Sequence, residues 1–123
     1  LLTAWAAEVG VVLTLERNLE QVRAGGADVN GVEGMEVEVK RVEQLVVATA
    51  WAQVCRAAAS SGKHPFLIHR KNRGSWKVRT RIESALHIGG AWKLVAVVAD
   101  LETACAKRWF QAYCQLTYGV QHV

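Results

Sequence analysis

The sequence predicts a mixed α/β fold in one domain spanning residues 1–123. Three observations lead there. Segments rich in β-branched residues alternate along the chain with segments of helical periodicity, the pattern of strands and helices sharing one core. The chain has 123 residues, 51% of them hydrophobic, which is enough for a single modest core. No internal repeat, low-complexity stretch or linker divides it.

Taken in order, the first segment is "LLTAWAAEVG", in which Leu1, Leu2, Trp5 and Val9 fall at helical spacing and Gly10 supplies a stop. With no initiator methionine, it reads as the end of a longer helix, so a truncated N-terminus is expected. It lacks the basic region and extended apolar stretch of a secretory signal. "VVLTLE" (11–16) is a strand candidate. "RNLEQVRAGGAD" follows, broken at Gly25-Gly26, with a short strand expected near Asp28 and Val29. "NGVEG" (30–34) is a turn signal, and "MEVEVKRV" is the next strand. Residues 44–61 read as an Ala-rich helix with Leu45, Ala48, Ala52 and Cys55 on one stripe, closed by Gly62. "HPFLIHRKN" (64–72) and "SWKVRTRIE" (75–83) suggest a hairpin around Gly74. "WKLVAVVAD" (92–100) is a last strand or a helix start. Asp100 can cap a final helix whose stripe is Leu101, Cys105, Trp109, Ala112 and Leu116.

The charge is unevenly placed. The net charge is +4, yet seven cations (Lys63, Arg70, Lys71, Arg73, Lys77, Arg79 and Arg81) lie in one segment that contains no acid. Most acids fall between Glu8 and Glu43. This asymmetry suits a polyanionic partner at one end of a site and a cation at the other. The three cysteines, Cys55, Cys105 and Cys114, are odd in number and form no CxxC pair. That argues against a disulfide framework or a structural zinc site and for a reducing, cytoplasmic compartment. No segment is apolar enough for a bilayer span, so no membrane partner is expected.

The segment "MEVEVKR" (35–41) carries chemistry. Period-two alternation sends Met35, Val37 and Val39 one way and Glu36, Glu38 and Lys40 the other. The charged side is either solvated surface or a floor on which acids and a lysine work together. Asp28, on the preceding short strand, can lie next to Glu38 across the sheet. Two close carboxylates are best tolerated with a divalent cation between them, and hard oxygen ligands suit Mg2+ or Mn2+. Lys40, one pleat beyond Glu38, can set a positive charge beside an attacking water or a developing phosphorane oxygen. Such a set is equipped for phosphodiester hydrolysis. Glu36 is read as a solvated outer residue.

The basic hairpin gives the second signal. Lys77, Arg79 and Arg81 share one strand face, opposite Trp76, Val78 and Thr80, while Arg70, Lys71 and Arg73 sit at or near the turn. A row of cations fits a phosphate backbone without reading bases. The competing reading is an edge strand charged against aggregation. His69, beside this patch, is read as a phosphate contact or packing residue. His64, His87 and His122 have no ligating spacing.

Four ordered blocks, "RNLEQVRAGGADV", "EVEVKRVEQL", "WAQ" and "PFLIHRKNRGSWKV", resemble the PD-(D/E)xK nuclease superfamily over roughly residues 15–80, in particular phage-type Holliday junction resolvase-like proteins. The resemblance implies a restriction-endonuclease-like core, a mixed β-sheet flanked by helices, and magnesium-dependent cleavage of DNA. It makes Asp28 and Glu38 metal ligands, with the Val39 carbonyl as a further one, and Lys40 the catalytic lysine. It also gives Gln53, on the following helix, a supporting role, against the alternative of an ordinary exposed amide. Arg17 and Asn18 in "RNLEQ" become phosphate contacts, with Glu20 or Gln21 supporting metal or water, against the alternative of a polar loop that only aids solubility. The chain departs from the family in its first helix, where Glu8 is the only acid; Glu8 is read as a surface carboxylate. The expected function is a Mg2+- or Mn2+-dependent, structure-selective endodeoxyribonuclease acting on DNA, with a non-catalytic nucleic-acid-binding module as the alternative. A particle or replisome scaffold is a third reading. Junction resolution takes two symmetry-related cuts, so a homodimer is expected; the last helix carries Trp109, Phe110, Tyr113, Leu116 and Tyr118, most of them core, and an exposed remainder of it could offer the face. If phage-encoded, the protein would act in the host cytoplasm.

Overall fold

The computed structural model describes residues 1–17, 29–41, 46–71 and 73–119. Helix α1 (Leu2–Ala7) leads into strands β1 (Glu16–Arg17), β2 (Val29–Asn30) and β3 (Met35–Arg41). Helix α2 (Val47–Ser61) precedes β4 (His64–Arg70), β5 (Lys77–Ile88) and β6 (Ala91–Leu101), and α3 (Thr103–Tyr118) follows. The six strands form one sheet in sequence order. β3 and β4 run parallel, and the other neighbours are antiparallel. A parallel pair needs a crossover, which α2 provides. The expected α/β class, a mixed sheet flanked by helices, is what the chain adopts.

The two sheet faces differ. On one, Met35, Val37, Phe66, Ile68 and Val78 pack against Leu2, Trp5 and Ala6 of α1 and Ala106, Phe110 and Cys114 of α3. Phe66 lies against both Trp109 (ring centroids 5.5 Å apart) and Phe110 (5.8 Å), and is fully buried. Thr80, the polar residue in this layer, donates its hydroxyl to the Pro65 carbonyl at 2.8 Å, so its burial leaves no donor unmet. On the other face, Ala50 and Val54 of α2 pack with Leu67. Small side chains let this helix lie close over the sheet.

Several local expectations change. Residues 11–15 are not a strand: Val11 and Leu13 are buried and Val12 is exposed, as alternation predicts, but ladder pairing starts only at Glu16. The buried stripe of α2 is Ala50, Val54 and Ala58, whereas Ala48 and Ala52 are exposed. That of α3 is Ala106, Phe110 and Cys114, one residue round from the stripe predicted, so Cys105, Ala112 and Leu116 face outward. In both helices the apolar residues outnumber one stripe, and tertiary packing selects among them. Asp100 is a strand residue, and Glu102 takes the position before α3. Gly62 ends α2 in the left-handed conformation, φ 73°, as expected of a helix-closing glycine. Among the described residues, no helix is long and apolar enough to cross a membrane.

Candidate active site

The α2-facing side of the sheet gathers the charged residues. Parallel pairing puts Glu36 beside Pro65, Glu38 beside Leu67 and Lys40 beside His69. The antiparallel ladders then continue each row, Leu67 to Arg79 and His69 to Lys77, and Arg79 to Asp100. Partners in a ladder point to the same face. One face therefore carries, level by level, Glu38–Leu67–Arg79–Asp100 and Lys40–His69–Lys77. The acids of β3 and the cation row of β5 share a surface, an arrangement built by register rather than by sequence proximity.

This face is not a solvated exterior. Glu36 is 5% exposed and Glu38 2%, which corrects the reading of Glu36 as a solvated residue. Lys40 Nζ lies 3.1 Å from Glu38 Oε1 and keeps a third of its side chain in solvent. A buried carboxylate is costly unless it is paired, so the lysine one pleat away is a physical requirement of the strand as well as a candidate catalytic group. Val39 turns its side chain to the opposite core, where it packs against the main cluster. Gln53 is half-buried on α2, one residue before Val54, at the margin of the helix face that packs on the sheet. Asp28 and Asn18 lie outside the described residues. Val29, the residue after Asp28, pairs with Val37, the neighbour of Glu38. Arg17 closes β1, opposite Val29.

The cation row is as predicted in its facing and different in its freedom. Arg79 makes a two-pronged ion pair with Asp100, Nε to Oδ1 at 2.7 Å and Nη2 to Oδ2 at 3.0 Å. These hydrogen bonds hold the Asp100 carboxyl below the usual carboxylate range and raise the Arg79 guanidinium further. Lys77 Nζ is 3.7 Å from Glu102. Arg81 is half-buried on the same face, near Cys55 of α2. Arg70 does not join this row. It occupies the opposite face at the end of β4, with its guanidinium carbon 4.4 Å from the Trp76 ring centroid. Lys71 and Arg73 are exposed, and Arg73 takes φ 62° in the turn.

His69 is the residue whose position the sequence conceals. It is 8% exposed and sits in register between Lys40 and Lys77. Burial keeps its imidazole below its ordinary pKa, the carboxylate of Asp100 opposes that, and Arg79 and Lys77 add to it. It is therefore held neutral between two cations, with Nε2 buried and unbonded among the described residues. His64 belongs elsewhere. Its ring stacks on Trp109 and its Nε2 is 2.9 Å from Thr80 Oγ1, on the main-core face. Glu8 also lies apart, bonded to Lys107 at 2.7 Å and to Gln111 at 2.9 Å across α1 and α3.

No protein-family model matches the chain, and no curated protein does. Among solved structures, it is similar to Hjc of Archaeoglobus fulgidus, a Holliday junction resolvase from an archaeal hyperthermophile. The identity is 15%, the alignment covers 89% of this chain and 94% of that one, and the TM-score is 0.49.

For a divalent cation, the side-chain donor chemistry on this face is hard oxygen: the Glu38 carboxylate and that of Glu36 two residues before it. Such donors match Mg2+ or Mn2+ in type. Among the described residues, no group of three or more His, Cys, Asp or Glu side chains is gathered to hold a metal. Completing a ligand set would fall to Asp28.

Proposed function

We propose that this chain is a metal-dependent endodeoxyribonuclease of the PD-(D/E)xK type that selects branched DNA in the manner of a Holliday junction resolvase. The observation that carries it is the buried Glu38 paired with a partly exposed Lys40 on a sheet face that also bears the cations of β5. Burying a carboxylate among apolar neighbours such as Leu67 works against folding. A buried carboxylate placed beside a lysine suits a site that handles phosphate.

In this reading, Asp28, Glu38 and the Val39 carbonyl hold Mg2+ or Mn2+, which when bound polarises the scissile phosphate and lowers the pKa of water. The chain's own residues do the rest. Lys40 sets its ammonium beside the attacking oxygen or the charge that develops on phosphorus-bound oxygen. Gln53 supports the site from α2. Lys77 and Arg81, with Lys71 and Arg73 at the turn and Arg17 and Asn18 near β1, contact the phosphate backbone. Arg79 reaches phosphate by giving up Asp100 for it.

The test is incubation with a labelled four-way junction and a linear duplex of the same sequence, with and without Mg2+ or Mn2+. Metal-dependent cuts in the junction, and far fewer in the duplex, support the reading. Salt-sensitive binding of both DNAs with no cut under either metal replaces it with a non-catalytic nucleic-acid-binding module.

A further inference from the structure

Beyond residue 82 the sheet leaves the core. β5 and β6 continue as a two-stranded arm to the Gly89-Gly90 turn, whose φ values of 60° and 80° fit a two-residue hairpin loop. The arm is apolar on both sides. Register puts Trp92, Leu94 and Val98 on the face shared with Glu38, and Leu86, Ile88, Val95 and Val97 on the other. Trp92 is 74% exposed and Leu94 68%, and all seven are exposed.

Two further features say what covers this arm. β6 is an edge strand of 11 residues among the described elements, so one row of its backbone N–H and C=O groups has no ladder partner. Edge strands of this length are normally blunted by charges or proline, yet residues 82–99 contain no proline and only two formal charges, Glu83 and Lys93. A near-neutral apolar strand has nothing to offer a phosphate backbone. It does offer a strand of matching length, and "AWKLVAVVA" is complementary to itself: when two copies run antiparallel about a twofold axis at Val95, Trp92 meets Val98, Leu94 meets Ala96 and Ala91 meets Ala99. Residues so paired have the same parity, so each face of the arm continues into the same face of the partner's.

We infer that β6 is a homodimer seam, in which two copies of this chain join their arms edge to edge in an antiparallel pairing centred on Val95. Dimerisation then lies on the arm and not on α3, where Trp109 and Tyr113 are packed against the core. The inference stands apart from the nuclease reading, since an inactive protein would dimerise equally.

The test is molar mass by light scattering and sedimentation equilibrium at micromolar concentration, with two variants. The wild type is expected at twice 13.5 kDa. Leu94→Lys with Val97→Lys, on opposite faces of an arm outside the core, should shift it to a single mass with unchanged far-ultraviolet circular dichroism. Val95→Cys, self-paired at the axis, should give an intermolecular disulfide on mild oxidation, located by peptide mapping. A wild type that stays monomeric at tens of micromolar overturns the proposal. So does a dimer that survives the double lysine variant, or Val95→Cys chains that do not cross-link while remaining dimeric.

Discussion

If Glu38 is kept for chemistry and not for folding, replacing it with an apolar residue of similar size should leave the protein as stable or stabilise it. Glu38→Met removes a carboxylate that is 2% exposed and in register with Leu67 on the α2 side. Exchanging a whole buried ion pair for well-packed apolar residues is often neutral or stabilising by about 1–4 kcal/mol, which is an upper bound for replacing Glu38 alone. Against that stands the loss of the Lys40 contact. Lys40 keeps a third of its side chain in solvent and can rehydrate, so this loss is discounted to about 1 kcal/mol or less. The net expectation is a change between about zero and a gain of about 3 kcal/mol, each kcal/mol raising Tm by about 3–5 °C for a domain of this size. Urea unfolding should show an equal or higher midpoint with an unchanged slope, since the surface exposed on unfolding hardly alters. Cleavage should vanish in the same variant. A fall in stability of more than about 1 kcal/mol, with the slope unchanged, would refute the reasoning and make Glu38 a structural residue.

Phe66→Ala should cost about 3–5 kcal/mol, because Phe66 is fully buried between Trp109 and Phe110; chemical denaturation measures it. Gly62→Ala should cost about 1–2 kcal/mol from left-handed backbone strain alone, as nothing lies within 4 Å of the added carbon. His69 has its folded pKa below its ordinary value, so the unfolded chain binds the proton first as pH falls. The stability His69 preserves is thus complete above about pH 6.5 and declines as pH drops through the lowered folded value, and His69→Gln should flatten the pH dependence of the urea midpoint. Asp100→Asn should free Arg79 for phosphate, tightening DNA binding and steepening its salt dependence by about one counterion; fluorescence anisotropy across a salt series reads both.

Much of the fold is legible in the sequence because its strands alternate clearly and its turns carry glycine. "NGVEG" and the glycines at 62 and 74 divide the chain where the structure does. The cross-strand site is legible only in part. Alternation puts Glu36, Glu38 and Lys40 on one face, and Lys77, Arg79 and Arg81 on another strand's face. That these two faces coincide depends on the parallel register of β3 with β4, which no local pattern encodes. The Arg79–Asp100 pair had a usable signal: taking Gly89-Gly90 as a two-residue loop sets Ile88 opposite Ala91 and, nine residues down each strand, Arg79 opposite Asp100. Reading Asp100 as a helix cap missed it. The buried faces of α2 and α3 were not legible because alanines and aromatics populate several stripes, and contact with Leu67 or Phe66 makes the choice. The burial of Glu36 is hidden for a related reason. A charged strand face signals solvent only when no helix crosses over it, and here α2 does.

The central claim is that the acid–lysine face of β3 cuts DNA. The most direct measurement is single-turnover cleavage of a four-way junction in Mg2+ by the wild type, Lys40→Ala and Asp28→Asn, alongside anisotropy binding of the same junction. The account predicts cleavage by the wild type alone, with all three proteins binding the junction. Cleavage that persists in both variants, or binding by all three with no cleavage by any, contradicts it.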